Sequence, residues 1–291
     1  MRLNEQTRLL EATRKHGGNA RELPRQIILF SKADWDHGLW TNDQHTAMRL
    51  AARGFQILYV ESLGLRQPAL RTRDIKRIGR RLLGGIRGLR QVREGLWVFS
   101  PLVMPFHQYE TARRLNQKIL ETCLRYMLRR LHFRDPILWT YNPLMFFLKE
   151  ILGASFLVYH CVDDLAAVPG TPTNIVLEAD RSMASSADVI FTTSKPLLKT
   201  FLTLGSRSIY YFPNVADFEH FSKARLAGPI PHDLESIPAP RIGFVGAVSS
   251  YKLDFDLIVG VAERRPDWHW VIIGPWGTEE PIQGPTHLSK P

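Results

Sequence analysis

Seven short apolar runs, each rich in β-branched and aromatic residues, recur through the first part of the chain and constrain its architecture more than any other feature. They are "QIILF" (26–30), "QILYV" (56–60), "LWVFS" (96–100), "ILWTY" (137–141), "FLVYH" (156–160), "DVIFTT" (188–193) and "SIYYF" (208–212). Segments of helical period lie between them, at 41–53, 109–132, 143–151, 174–186 and 195–204. Strands that are apolar throughout, not alternating, belong to a parallel sheet covered on both faces. The pattern predicts a doubly wound α/β domain over residues 25–223, preceded by a polar extension, 1–24.

The alternation then breaks. Residues 224–240 carry four prolines and no periodicity, which is linker composition. Beyond them "RIGFVGAV" (241–248) reads as a new first strand, "DFDLIVGVAERRP" (254–266) as a helix opened by an acidic residue, and "WHWVIIGP" (268–275) as the next strand. Residues 241–291 are therefore expected to form the first β-α-β part of a second Rossmann-like domain, truncated or decayed in this chain.

The two cysteines, Cys123 and Cys161, are too few for a disulfide framework and lack the paired spacing of a zinc site, so a reducing, cytoplasmic setting is expected. No stretch approaches the roughly 18 uninterrupted apolar residues of a membrane span, and the amino terminus has no apolar signal core. The formal charge is +10, and much of it sits in residues 65–94, where Ile75, Ile78, Leu82, Ile86 and Leu89 recur at helical steps among arginines. Two readings stand. One is an amphipathic helix that meets an anionic membrane surface through Lys76, Arg77, Arg80, Arg81 and Arg87. The other is a solvated basic face, favoured by the glycines at 79, 84, 85 and 88. Nucleic acid is disfavoured, because no stacking aromatics interleave the charges.

Ligands of an open parallel sheet bind beyond the carboxyl ends of its strands. The predicted rim gathers "SKADWDHGLW" (31–40), "ESLGLR" (61–66), "NPL" (142–144), "SKP" (194–196) and "PNVAD" (213–217). His160 closes the fifth run, and Asp163 and Asp164 follow it. His160 has three open readings: a general base, a group that hydrogen-bonds substrate, or a satisfied core histidine. A metal on His160, Asp163 and Asp164 is disfavoured, since an adjacent acidic pair after a strand more often caps the next turn or binds hydroxyls. Asn42 or Asp43 is the expected N-cap of the first helix. The first β–α turn has no G-x-G-x-x-G, which disfavours dinucleotide binding of the ordinary dehydrogenase kind, and the absence of a P-loop and G-x-S-x-G removes the common nucleotide-hydrolase and serine-hydrolase readings.

Six motifs in order, "WTNDQHTAMRLAARGFQILYVESLGLRQP", "ILWTYNP", "LVYHCVDDLAAVPG", "ADVIFTTSKPL", "FPNVADFEHF" and "RIGFVGAV…DFDLIVGVAERRPDWHWVIIGP", resemble the bacterial glycosyltransferases of GT-B fold that build surface and exopolysaccharides, the teichuronic-acid type included. The resemblance implies a complete amino-terminal Rossmann-like domain on the acceptor side and a donor-side domain of which only the first part is present. It implies retaining transfer from a nucleotide-sugar donor to a lipid-linked or polysaccharide acceptor at the inner membrane face. No separate cofactor is implied. It assigns His160 to the cleft near the transferred sugar, with Asn42, Gln44, His45, Asn142, Asp163, Asp164 and Ser194 on the acceptor. Gly246 and Lys252 fall on the donor-phosphate side, although Ala247 replaces the arginine expected after the glycine. In "PNVADFEHF" Val215 replaces a glycine, which implies a different backbone turn because valine resists positive φ. A non-catalytic homologue that binds acceptor or membrane without a competent donor site is the alternative.

Overall fold

The computed structural model describes residues 24–38, 40–62, 88–101, 110–168, 171–226, 228–250 and 252–274, with the backbone alone at 110–113. It divides into two compact units between Val215 and Ala216, ahead of the boundary expected after Lys223.

In the first unit the apolar runs become strands of one sheet: β1 (Gln26–Phe30), β2 (Gln56–Val60), β3 (Leu89–Arg93), β4 (Leu96–Phe99), β5 (Ile137–Thr140), β6 (Phe156–Cys161), β7 (Val189–Thr192) and β8 (Ile209–Tyr211). Their order is β3-β4-β2-β1-β5-β6-β7-β8, and every pairing is parallel except β3 with β4. β3 corrects the sequence reading. Leu89, Arg90 and Arg93 lie on an antiparallel edge strand and not on a helix, returning through Glu94 and Gly95, whose φ of +71° suits glycine. The five residues named for membrane contact lie outside the described residues.

The helices are α1 (Asn42–Ala51), α2 (Glu110–Arg130), α3 (Leu148–Leu152), α4 (Thr173–Ser186) and α5 (Lys195–Thr203). Where one helix was expected over 143–151, a 3-10 turn (Pro143–Met145) precedes the short α3. The cause is local: Pro143 starts the turn, and the Asn142 side chain caps it by accepting the Leu144 N–H.

Because successive side chains of a strand point to opposite faces, the sheet builds two cores. Ile28, Phe30, Leu58, Val60, Leu138, Leu157, Tyr159 and Cys161 face Leu120, Leu124 and Met127 of α2, Leu148 of α3, Met183 of α4 and Phe201 of α5. The opposite face carries Ile27, Leu29, Ile57, Tyr59, Leu96 and Val98 against Trp35 and Ala47. Chain connections leave β1 and β5, which are neighbours, in opposite directions. The crevice beyond their carboxyl ends is the topological switch point of the sheet.

That crevice is held by a buried carboxylate. Asp43, in the first turn of α1 and 1% exposed, accepts the Ser31 hydroxyl at 2.7 Å and the Lys32 N–H at 2.7 Å. The Tyr59 hydroxyl lies 2.6 Å from Ser31 Oγ and also donates to the Ala33 carbonyl. The N-cap of α1 is Thr41, neither Asn42 nor Asp43, because Gln44 Oε1 accepts the Thr41 N–H at 3.0 Å and leaves Asp43 free to turn inward.

The second unit holds two short helices, α6 (Phe218–Phe221) and α7 (His232–Glu235), then β9 (Arg241–Val245), α8 (Phe255–Arg264) and β10 (His269–Ile273). Strands β9 and β10 pair in parallel, and Asp254 caps α8 by accepting the Leu257 N–H. This is a β-α-β unit. Val245 at 77% and Ile273 at 48% exposure sit at its strand ends, so the unit leaves apolar surface open. Gly274 has a φ of +147°, and a Cβ there would meet the Gly246 carbonyl oxygen at 1.8 Å.

Removing the Asp43 carboxylate strands the part-buried Lys32 N–H and takes an acceptor from the Ser31 hydroxyl, which keeps its contact with Tyr59. Asp43→Ala is expected to lower the unfolding free energy by about 3 kcal/mol in urea titration, whereas Asp43→Asn, which keeps an acceptor oxygen, costs about 1 kcal/mol. Equal losses from both variants would contradict the hydrogen-bonding account.

Candidate functional site

The rim beyond β1, β5 and β6 collects the titratable chemistry of the first unit. His160 is the fifth residue of β6, half-buried, on the sheet face that carries Trp139, Tyr141 and Phe191. Parallel register sets this row. Trp139 pairs with Val158 and Thr140 with Tyr159, so Tyr141 stands beside His160, and His160 pairs with Phe191. The Tyr141 and His160 rings stack at 4.8 Å, with Trp139 at 6.0 Å and Phe191 at 5.9 Å edge-on to the imidazole.

His160 Nδ1 lies 3.1 Å from the Tyr141 hydroxyl. That hydroxyl donates to Thr46 Oγ1 at 2.9 Å, with the Asn42 carbonyl at 3.3 Å, both on α1. Burial, reinforced by the positive charge of Lys32, lowers the His160 pKa from 6.5 to about 4. The imidazole is therefore neutral at pH 7. Burial drives the Tyr141 phenol well above its ordinary value, so it keeps its proton.

Lys32 extends from the loop fixed by Asp43, and its Nζ meets Asp163 Oδ2 at 2.6 Å, with the lysine side chain 20% and the aspartate 62% exposed. The pair links the end of β1 to the end of β6. Beside it, Asn42 Nδ2 donates to Asn214 Oδ1 at 3.0 Å, tying α1 to the segment after β8. Further along the rim, Trp35 N donates to Glu61 Oε1 at 2.7 Å, Ser100 Oγ donates to the same carboxylate, and Arg90 reaches Asp36 at 2.7 Å.

The residues expected at the rim divide accordingly. Asn42, His160 and Asp163 are brought into one neighbourhood. His45 is exposed and edge-on to the Trp40 ring at 5.5 Å. Asp164 caps the 3-10 turn Leu165–Ala167 by accepting the Ala166 N–H, and Ser194 caps α5 by accepting the Leu197 N–H. Asn142 is buried, with its Oδ1 committed to Leu144. Gln44 departs from the expectation of acceptor contact. It is wholly buried, its Oε1 is taken by Thr41 and its Nε2 donates to the Asp34 carbonyl, so it shapes the loop from within.

In the second unit Gly246 follows β9, and its N–H donates to the Ile273 carbonyl at 2.9 Å, which removes that N–H from any phosphate. Lys252 is exposed in the loop before α8. Among the described residues no cluster of three His, Cys, Asp or Glu side chains is placed to hold a metal ion, and no helix is long and apolar enough to cross a membrane. Val215 does not take positive φ; among the described residues only His132 and Asp135 do so without being glycine.

Sequence reasoning missed Lys32, Tyr141 and Thr46. Lys32 sits inside a loop already marked as rim. Tyr141 closes the apolar run 137–141, yet its even spacing from Ile137 and Trp139 places its hydroxyl at the rim on the His160 face.

No protein-family model matches the chain. It is 29% identical over 152 residues to TuaH of Bacillus subtilis (strain 168), a protein assigned to glycosyl transfer in teichuronic acid biosynthesis. That match covers 48% of this chain and 38% of TuaH. Among solved structures it is similar to HepE of Anabaena in complex with UDP-glucose, with a TM-score of 0.51 and 14% identity, over 86% of this chain and 60% of HepE. The fold is thus mixed α/β with a large parallel sheet, similar to that of GT-B glycosyltransferases. The chain spans less than two thirds of the length of either protein.

Two titrations oppose each other in acid. Asp180 on α4 accepts the Tyr159 hydroxyl at 3.1 Å, and burial, aided by the Asp164 charge, raises its pKa from 3.8 to about 6. Between pH 6.5 and about 4 the folded protein binds fewer protons at His160 than the unfolded chain, so acidification removes up to about 3 kcal/mol of stability. Between pH 6 and 3.8 it binds more at Asp180, so acidification adds stability. Asp180→Asn is expected to lose stability more steeply than the parent as pH falls from 6.5 to 4, and His160→Gln less steeply, in urea midpoints across that range. Three parallel curves would contradict both assignments.

Proposed function

We propose that this chain carries the acceptor side of a glycosyltransferase that moves a sugar from a nucleotide-diphosphate sugar to a lipid-linked or polysaccharide acceptor in cell-surface polysaccharide synthesis, with retention at the anomeric carbon. The observation that carries this reading is the placement of His160 on the carboxyl rim beside the topological switch, held against Tyr141 and flanked by the Lys32–Asp163 pair. The similarity to TuaH supports the reaction class, and UDP-glucose in HepE supports a nucleotide-sugar donor.

In this reaction the bond from the anomeric carbon to the diphosphate breaks, the acceptor oxygen bonds on the same face, and the hydroxyl proton leaves with the diphosphate. A neutral imidazole can accept a hydrogen bond from a sugar hydroxyl, while an imidazolium cannot. Asp163 and Asn42, both at the rim surface, are the acceptor-hydroxyl contacts in this reading, with Lys32 setting the position of the Asp163 carboxylate. Lys252 supplies positive charge for the departing diphosphate. No cofactor is required besides the nucleotide sugar as co-substrate. The enzyme works at the cytoplasmic face of the membrane, where Lys76, Arg77, Arg80, Arg81 and Arg87 meet anionic lipid.

Two measurements test this. In the full-length protein, calorimetry with UDP- and GDP-sugars is expected to detect donor binding, and His160→Ala is expected to lower kcat roughly 100-fold with little change in donor affinity. Turnover unaffected by that substitution removes His160 from the site, and binding of no nucleotide sugar favours the non-catalytic reading. On vesicles containing phosphatidylglycerol, the triple change R77E, R80E and R81E is expected to abolish salt-sensitive binding at about 1 kcal/mol per charge. Binding indifferent to the change would overturn the membrane contact.

A further inference from the structure

The environment of Tyr141 fixes more than the position of His160. A tyrosine hydroxyl has one proton to give and lone pairs to receive with. Two groups of α1 compete for that proton: Thr46 Oγ1 at 2.9 Å and the Asn42 carbonyl at 3.3 Å, the second able only to accept. The third neighbour is His160 Nδ1 at 3.1 Å. With the proton directed into α1, Tyr141 presents a lone pair to the imidazole. The His160 contact is attractive only if Nδ1 carries the hydrogen and donates it.

From this we infer that Tyr141 is a positioning residue that sets the His160 tautomer: Nδ1 protonated, Nε2 a bare lone pair. The chain of donors runs from His160 Nδ1 to the Tyr141 oxygen and from Tyr141 to helix α1. Its outcome is an imidazole whose outer nitrogen can only accept. Such a group recognises a hydroxyl that donates to it, which is what an alcohol of a donor or acceptor sugar offers, and it gives nothing to a carbonyl or phosphate oxygen. The neighbouring Lys32 ammonium acts in the same sense, since a positive charge nearby disfavours a second proton on the ring.

The inference deepens the glycosyltransferase reading and rests on it only for the identity of the hydroxyl. Its test is spectroscopic. Long-range proton–nitrogen correlation spectra of the chain labelled with 15N-histidine at pH 7.5, with the His160 signals assigned by their loss in His160→Gln, distinguish the tautomers directly. Nε2 couples to both ring CH protons and Nδ1 to one. The expected spectrum has the doubly coupled nitrogen at the pyridine-type shift and the singly coupled one at the pyrrole-type shift. In Tyr141→Phe, which keeps the ring and removes the oxygen, the pattern is expected to move toward the Nε2-protonated form. In an active preparation the same variant is expected to lower kcat roughly tenfold with the donor KM held. A parent spectrum with Nε2 protonated overturns the inference, as does a Tyr141→Phe spectrum identical to the parent. The expected tautomer in a protein that transfers no sugar upholds it and counts against the glycosyltransferase reading alone.

Discussion

The Asp43 carboxylate, buried in the first turn of α1, is the constraint on which the rim depends. Taking a charge out of water is costly unless it is fully hydrogen-bonded, and here the compensation comes from Ser31 and from the backbone of Lys32. The helix amino terminus adds favourable dipoles. One carboxylate therefore fixes the entry of α1 and the path of the chain after β1 together. Two consequences reach the site: Lys32 is aimed at Asp163, and α1 presents Thr46 and the Asn42 carbonyl to Tyr141.

The sheet was legible from sequence because burial on both faces leaves no choice of residue type. Runs such as "QILYV" can be little else, and all seven became strands within a residue or two of their expected ends. β3 was hidden because an edge strand needs neither continuous apolarity nor a buried face, and "LRQVR" among arginines carries the charge that guards such an edge. The GT-B resemblance carried the fold class, and the similarity to HepE bears it out.

At the candidate site legibility was uneven for a different reason. A motif marks residue types, whereas function depends on which polar atoms are left over once the local structure has taken its share. Asn142, Ser194 and Asp164 follow strand ends and Gln44 lies in the first turn of α1, and each commits a side-chain oxygen to a turn or a helix start. Which polar side chains are consumed by capping is decided by one-residue shifts in helix onset. Thr41 in place of Asn42 as N-cap is such a shift, and it frees the Asn42 side chain for Asn214. Tyr141 escaped notice because its ring belongs to the core and its oxygen to the rim.

The pleat of β6 links folding to chemistry in a way that bears on how such a site persists. Side chains alternate with a period of two, so His160 faces the rim aromatics while Tyr159 and Cys161 fill the opposite core. A slip of a single residue would not blunt the site by degrees; it would drive the imidazole into the packed interior and turn a tyrosine and a thiol outward. Quality control for stability would discard that chain before any substrate met it. The placement of this histidine is in effect proofread by the core.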